Sequence, residues 1–210
     1  MWRAVFLFTC ISSMVIWIGC DLESLGLDWE TEEYPPPPLT AENIQAGPME
    51  GYQYLQVDVS ELLGGVSFED ALSIEQLIEH ESGGAVYFQD PLSNPPETWD
   101  WWHGVVIDSG AISEDVLIGI VIPDIQYAVL EFSPHPYQFD AEVQLELSYA
   151  YSNLIETGFT VDDLEIMYWN ESEGEYEIVA SQLLEAEEKL IIMTNHFSRY
   201  VIAAGRGAED

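Results

Sequence analysis

The chain has 210 residues, which suffices for a leader, a linker and one domain of ordinary size. Its 39 acidic and 4 basic side chains give a formal net charge of -35, so a polyanion would be repelled over nearly the whole surface. Nucleic-acid binding is thereby excluded, whereas the hydrophobic fraction of 48% is high enough for a folded core.

The first 19 residues have the layout of an export signal. Arg3 precedes an apolar run over residues 4–18, and the run ends at Gly19-Cys20 with acidic residues after it. This arrangement resembles the lipobox of bacterial lipoproteins, which implies removal of residues 1–19 and lipidation of Cys20. We therefore expect a lipid-anchored protein on the periplasmic or cell-surface side of the cell envelope.

An uncleaved signal anchor is the alternative to a lipid anchor. The apolar run is only just shorter than the roughly 20 residues that cross a bilayer. The lipid anchor and the signal anchor both predict a membrane as one partner of the chain, whereas simple secretion, the remaining alternative, does not.

Residues 20–46 form the next segment, which is acidic and rich in proline. Four consecutive prolines, Pro35 to Pro38, favour the polyproline II conformation at about 3.1 Å per residue. Repulsion among the neighbouring glutamates extends the chain further. This pattern predicts a tether that holds the folded body away from the membrane.

Residues 47–81 are predicted to form an N-terminal extension of the body. Residues 52–57 alternate between apolar and polar side chains like a strand. Residues 68–78 place Leu72, Leu77 and Ile78 on one side and predict a short helix before the sandwich.

From Gly83 onward strand patterns recur at short intervals, a rhythm typical of a β-sandwich. The predicted strands cover residues 85–89, 99–108, 116–122, 127–132, 142–149, 164–168, 176–180, 190–193 and 200–203. Residues 142–149 alternate most regularly, and residues 190–193 are apolar throughout, which predicts a strand covered on both faces. We expect an all-β, antiparallel sandwich of about eight to nine strands over residues 82–204, with a polar tail at 205–210.

Five short segments of this body occur in a characteristic order. They are Gly83-Gly84-Ala85-Val86, Ser109-Gly110-Ala111-Ile112, Phe132-Ser133-Pro134-His135, residues 168–176 and His196-Phe197-Ser198-Arg199-Tyr200. Over about residues 80–204 this order resembles the ZU-5-like domain of zonula occludens proteins, netrin receptors, ankyrins and many bacterial exported proteins. The resemblance implies a β-sandwich that serves as an interaction module or spacer, with no cofactor.

The His196-Phe197-Ser198 segment carries the one candidate chemistry. Some proteins with ZU-5-like domains cut their own backbone between Phe and Ser of such a segment. The resemblance implies Ser198 as nucleophile, His196 as general base and backbone strain at the bond between Phe197 and Ser198. In the alternative interpretation, His196 and Ser198 satisfy backbone groups at the turn into the last strand, while Phe197 packs in the core.

Three tryptophans, Trp99, Trp101 and Trp102, follow a proline pair and are predicted to lie where a loop enters a strand. Flat aromatic rings at such a place are suited to binding a glycan or a peptide. The other interpretation is that they cover one end of the core, because tryptophan is usually largely buried. A glycan-binding module is therefore a further alternative function.

No metal site is predicted, because the four histidines lack the short spacing of zinc ligands and Cys20 is assigned to the anchor. Acidic stretches such as Asp162-Asp163 and residues 171–175 would attract calcium, but no Asp-x-Asp-x-Asp-Gly loop is present. The sequence thus favours a non-enzymatic envelope lipoprotein whose partner is an envelope protein or a glycan.

Overall fold

The computed structural model describes residues 34–57, 72–89 and 101–206. The predicted signal peptide, Cys20, the first part of the predicted tether, Trp99 and residues 207–210 lie outside the described residues, so the predictions made for them are not tested.

The described residues form twelve strands and two short α-helices. The strands are β1 Tyr52–Tyr54, β2 Leu72–Ile78, β3 Gly84–Gln89, β4 Trp101–Ile107, β5 Val116–Ile122, β6 Val129–Ser133, β7 Tyr137–Ser148, β8 Leu164–Asn170, β9 Glu175–Val179, β10 Gln182–Leu184, β11 Lys189–Phe197 and β12 Arg199–Gly205. The helices are α1 Ala41–Ala46 and α2 Leu154–Thr157, and single 3₁₀ turns occur at Val161–Asp163 and Glu185–Glu187.

The strands form two sheets. The seven-stranded sheet has the order β2-β5-β6-β12-β8-β9, with β1 paired to β12 beside this path. The five-stranded sheet has the order β10-β11-β7-β4-β3. Every strand pairing is antiparallel. The prediction of an all-β, antiparallel sandwich is confirmed, with twelve described strands in place of eight to nine.

The main core lies between the two sheets. Strand β7 shows how the sequence produces it, since Val143, Leu145 and Leu147 are buried and the residues between them are less so. Facing them are buried side chains of β5 and β12, including Ile120 and Ile202, in the same apolar cluster. Alternation along each strand therefore directs one row of side chains into the space between the sheets.

The predicted helix over residues 68–78 is wrong, because Leu72–Ile78 is strand β2. Its whole length pairs with β5, from Leu72 opposite Ile122 to Ile78 opposite Val116. A short apolar run fits both helical and strand periods, and the long ladder to β5 favours the strand. A short helix does precede the sandwich, but it is α1.

A second apolar cluster lies on the outer face of the seven-stranded sheet. Its buried members include Met167, Trp169 and Tyr176, and Leu39, Ile44 and Met49 pack against them. We call residues 34–50 the strap, because this segment covers that face. From Tyr34 onward the proline-rich segment therefore lies against the sandwich.

Three hydrogen bonds attach the start of the strap to the sheet. The indole Nε1 of Trp169 donates to the carbonyl oxygen of Tyr34 at 2.6 Å, and the Tyr34 amide donates to the Glu171 carbonyl at 2.9 Å. The guanidinium of Arg199 donates to the carbonyl of Pro37.

Within the described ranges, no helix is both long and apolar enough to cross a membrane.

Candidate functional site at the strand crossover

The His196-Phe197-Ser198 segment lies where the chain passes from one sheet to the other. Strand β11 ends at Phe197, which pairs with Tyr137 in the five-stranded sheet. Strand β12 begins at Arg199, which pairs with Glu131 in the seven-stranded sheet. Ser198 is the single residue between the two strands, so the predicted segment occupies a sharp corner of the sandwich.

Aromatic packing fixes this corner. The ring of Phe197 stacks on Phe132 with ring centroids 5.4 Å apart and meets Phe139 edge to face at 4.7 Å. Tyr200 contacts Phe132 from the other side at 5.7 Å. Phe197 is 1% exposed, which agrees with the core role given to it in the structural interpretation.

Ser198 is buried, and its hydroxyl is engaged with a neighbouring strand. The Oγ atom donates to the carbonyl oxygen of Trp169 on β8 at 2.7 Å. No hydrogen bond joins Ser198 to His196 in the part of the chain that the structure describes. In this arrangement the hydroxyl satisfies a backbone acceptor and is not coupled to the predicted base.

His196 is partly buried beside β8. Its Nδ1 lies 3.3 Å from the hydroxyl of Thr194, and its ring meets Tyr168 edge to face at 5.0 Å. Burial lowers the pKa of His196, and the charge of His135 lowers it further. The lowered pKa keeps the imidazole neutral near neutral pH, so one ring nitrogen is an acceptor, but the side chain does not contact the Ser198 hydroxyl.

Tyr200 satisfies the first carbonyl of the crossover. Its hydroxyl donates to the carbonyl of His196 at 3.0 Å and lies 3.1 Å from the hydroxyl of Thr194. Burial is the main cause that raises the pKa of Tyr200 above its ordinary value, so the phenol stays a donor.

His135, which is not part of the His196-Phe197-Ser198 motif, contacts the carbonyl of Phe197, the next one along the crossover. It lies between β6 and β7, and its Nδ1 is 2.7 Å from the carbonyl oxygen of Phe197. Its Nε2 bonds the carboxylate of Glu171, which lies between β8 and β9. A carbonyl oxygen only accepts, so His135 donates to Phe197 through Nδ1.

These groups line an open cleft of about 470 Å³. His135, Tyr168, Glu171, His196 and Ser198 are among its lining residues. The bond between Phe197 and Ser198 thus lies beside a solvent-accessible space that contains two imidazoles and one carboxylate. Water has a route to this bond.

Left-handed backbone strain is not found at this bond. Among the described residues other than glycine, positive φ angles occur at Tyr151 and Glu188. The crossover instead has regular strands on both sides, and its carbonyls are held by side chains.

The tryptophan site is only partly within the described residues. Trp102 is 4% exposed and belongs to the main core, so its ring covers core residues and is not presented to solvent. Trp101 begins β4, and the position of Trp99 is outside the described ranges.

The acidic stretches considered for calcium hold carboxylates that contact other side chains. The Arg206 guanidinium, followed by the Thr160 amide, lowers the pKa of Asp163 to about 2. Glu171 is bonded to His135. Over residues 34–57, 72–89 and 101–206, no group of three or more His, Cys, Asp or Glu side chains is arranged to hold a metal ion.

Comparison with known proteins does not assign the chain to a family. No model of a known protein family matches the chain, and no curated protein is similar to it at a significant level. The ZU-5-like resemblance therefore stays a prediction from the order of its motifs.

Proposed function

We propose that this protein is an exported, lipid-anchored component of the cell envelope whose acidic sandwich contacts a positively charged partner protein. Each basic residue that the structure describes pairs with a carboxylate of the same chain: Lys189 with Glu146, Arg199 with Glu131 and Arg206 with Asp163. The remaining carboxylates of a chain with net charge -35 leave a strongly negative surface. Such a surface attracts basic partners and repels a second copy of itself.

One exposed apolar feature carries the interaction proposal. Leu77 of β2 and Leu117 of β5 are directly opposite each other and are 58% and 52% exposed. Glu75 and Glu79 lie two residues on either side of Leu77 and share its outward face. We call these four residues the leucine patch, and it suits a partner segment in which an apolar side chain is flanked by lysine or arginine.

The leucine patch is tested by capture from native envelope extract with the full chain as bait. A Leu77→Ser, Leu117→Ser double variant should weaken binding of the partner by about tenfold or more, because both side chains lose apolar contact area. Raising the salt concentration should weaken binding to the unaltered chain.

The matched control is Met193→Ser combined with Ile178→Ser, which removes two other exposed apolar side chains, 49% and 45% exposed, away from the patch. A protein captured by the wild type and the control but lost with the double leucine variant supports the proposal. Equal capture by all three chains contradicts it.

A second candidate function, self-cleavage between Phe197 and Ser198, is favoured by one contact. The Nδ1–H of His135 points at the carbonyl oxygen of Phe197, the atom that would become an oxyanion if Ser198 attacked. A fixed donor at such an oxygen is the largest single contribution to many acyl-transfer reactions. The same hydrogen bond also stabilises the crossover between β11 and β12, so cleavage of the chain must be measured directly.

Intact mass spectrometry of the full chain, extracted from membranes, tests this candidate. Self-cleavage predicts a fragment lacking residues 198–210, which disappears in Ser198→Ala. The same spectrum reports the mass of lipid on Cys20. A single uncleaved chain after prolonged incubation at 37 °C would rule self-cleavage out and leave the interaction proposal intact.

A further inference from the structure

We infer that His135 is a catalytic residue of this self-cleavage, acting as the donor that stabilises the oxyanion formed on Phe197, an inference that rests on the second candidate function above. The sequence motif contains only His196, Phe197 and Ser198. His135 comes from a different part of the chain and is placed on the reacting carbonyl by the fold.

The geometry supports an electrophilic role for His135. Its Nδ1 lies 2.7 Å from the Phe197 carbonyl oxygen, so a donor is already in place at the atom on which the negative charge would form. Glu171 accepts from Nε2 on the far side of the ring and therefore acts as a positioning residue for the imidazole. Both side chains line the cleft, where their exposed fractions are 31% and 21%.

The reaction balances with water as the only co-reactant. The Ser198 hydroxyl first leaves the Trp169 carbonyl and turns towards His196, which it does not contact in this structure. It then attacks the Phe197 carbonyl carbon, while its proton passes to the neutral imidazole of His196. The negative charge that forms on the Phe197 oxygen is held by the Nδ1–H of His135. The carbon–nitrogen bond then breaks, the nitrogen of Ser198 takes a proton from His196, and an ester links Phe197 to the Ser198 oxygen.

Water from the cleft hydrolyses this ester. The products are a carboxylate on Phe197 and a Ser198 that has a free amino group and its original hydroxyl. His135 is needed in both halves, since each passes through a tetrahedral oxyanion on the same oxygen.

The experiment measures first-order cleavage rates of the full chain with and without hydroxylamine, which traps the ester and so isolates the acyl shift. His135→Ala should lower the hydroxylamine-driven rate by about 100-fold or more, the usual cost of one oxyanion donor. His135→Asn, whose side-chain amide can donate to the same carbonyl, should retain an intermediate rate. Thermal unfolding of each variant is recorded in parallel, so that a misfolded chain is recognised.

Glu171 is tested by a signature that packing alone does not alter. In the uncleavable Ser198→Ala chain, the Nδ1–H of His135 should give a slowly exchanging proton signal by NMR, and Glu171→Ala should weaken it. A folded His135→Ala or His135→Asn chain that cleaves at the wild-type rate overturns the inference while self-cleavage stands. A wild-type chain that stays uncleaved contradicts both the self-cleavage and the role of His135 in it.

Discussion

Replacing Lys189 with methionine is expected to lower the free energy of unfolding by about 3–5 kcal/mol. The Lys189 ammonium lies 3.1 Å from the Glu146 carboxylate, and the two side chains are 9% and 13% exposed. Glu146 also accepts a hydrogen bond from Gln144 at 3.0 Å, but a neutral amide does not replace a charge. The variant therefore leaves a nearly buried carboxylate without its counter-ion.

Urea unfolding at pH 7 measures this loss of stability. Two further variants serve as controls. Adding Glu146→Gln to Lys189→Met removes the unpaired charge, so the double variant should regain most of the lost stability. Arg206→Met breaks the ion pair between Arg206 and Asp163. The Arg206 side chain is 69% exposed, so this variant should lower the free energy of unfolding far less. A Lys189→Met chain no less stable than Arg206→Met would show that burial does not strengthen the Lys189–Glu146 pair.

The sandwich could be predicted from the sequence because its strands have one solvent-exposed face and one buried face. In β7 the alternation of Val143, Leu145 and Leu147 with polar residues identifies the strand and its buried side together. The same argument fails where apolar residues are continuous. Residues 190–193 predict a strand covered on both faces, but Met193 is 49% exposed because this part of the outer face of the five-stranded sheet is open.

The bond that we propose to be cleaved is identified by a local sequence motif, whereas the side chains around it are not. In the sequence, His135 precedes Phe197 by 62 residues. Glu171 follows His135 by 36 residues. Only the register of Phe197 opposite Tyr137 brings His135 beside the crossover. His135 lies just before β7 and the crossover just after β11, the partner of β7, but this pairing is seen in the structure and not in the sequence.

The strap shows a second limit of sequence reasoning. Proline-rich acidic segments are extended in isolation, and the prediction of a tether from 20 to 46 uses only such local properties. The contacts that attach the segment from Tyr34 onward come from Trp169 and Arg199, which lie more than a hundred residues later in the chain. A docked segment and a free spacer therefore have the same local pattern.

Acid is expected to destabilise the protein through His103, the second large effect. His103 is 2% exposed, and its Nδ1 accepts a hydrogen bond from the Ser148 amide at 3.1 Å. Burial, and then the charge of Lys189, lowers the pKa of His103 to about 3. The unfolded chain binds this proton at a pH near 6.5 and the folded chain does not, so stability falls as the pH drops below about 6.5.

The expected loss from His103 alone is about 3 kcal/mol between pH 6.5 and pH 4. His103→Asn isolates it, because the amide oxygen of asparagine can accept from the Ser148 amide and does not titrate. Urea unfolding of both chains from pH 8 to pH 4 gives the difference in unfolding free energy at each pH. Acid titration of the many carboxylates occurs in both chains and cancels in that difference.

The difference should move by about 3 kcal/mol in favour of the asparagine chain as the pH falls from 6.5 to 4. Curves that stay parallel over this range would mean that the folded protein takes up the proton as readily as the unfolded chain. Lys189 gives an internal check on the cause, because its charge is the second reason for the lowered pKa. In a Lys189→Met background the charge is gone while burial remains, so the acid-dependent difference should become smaller without vanishing.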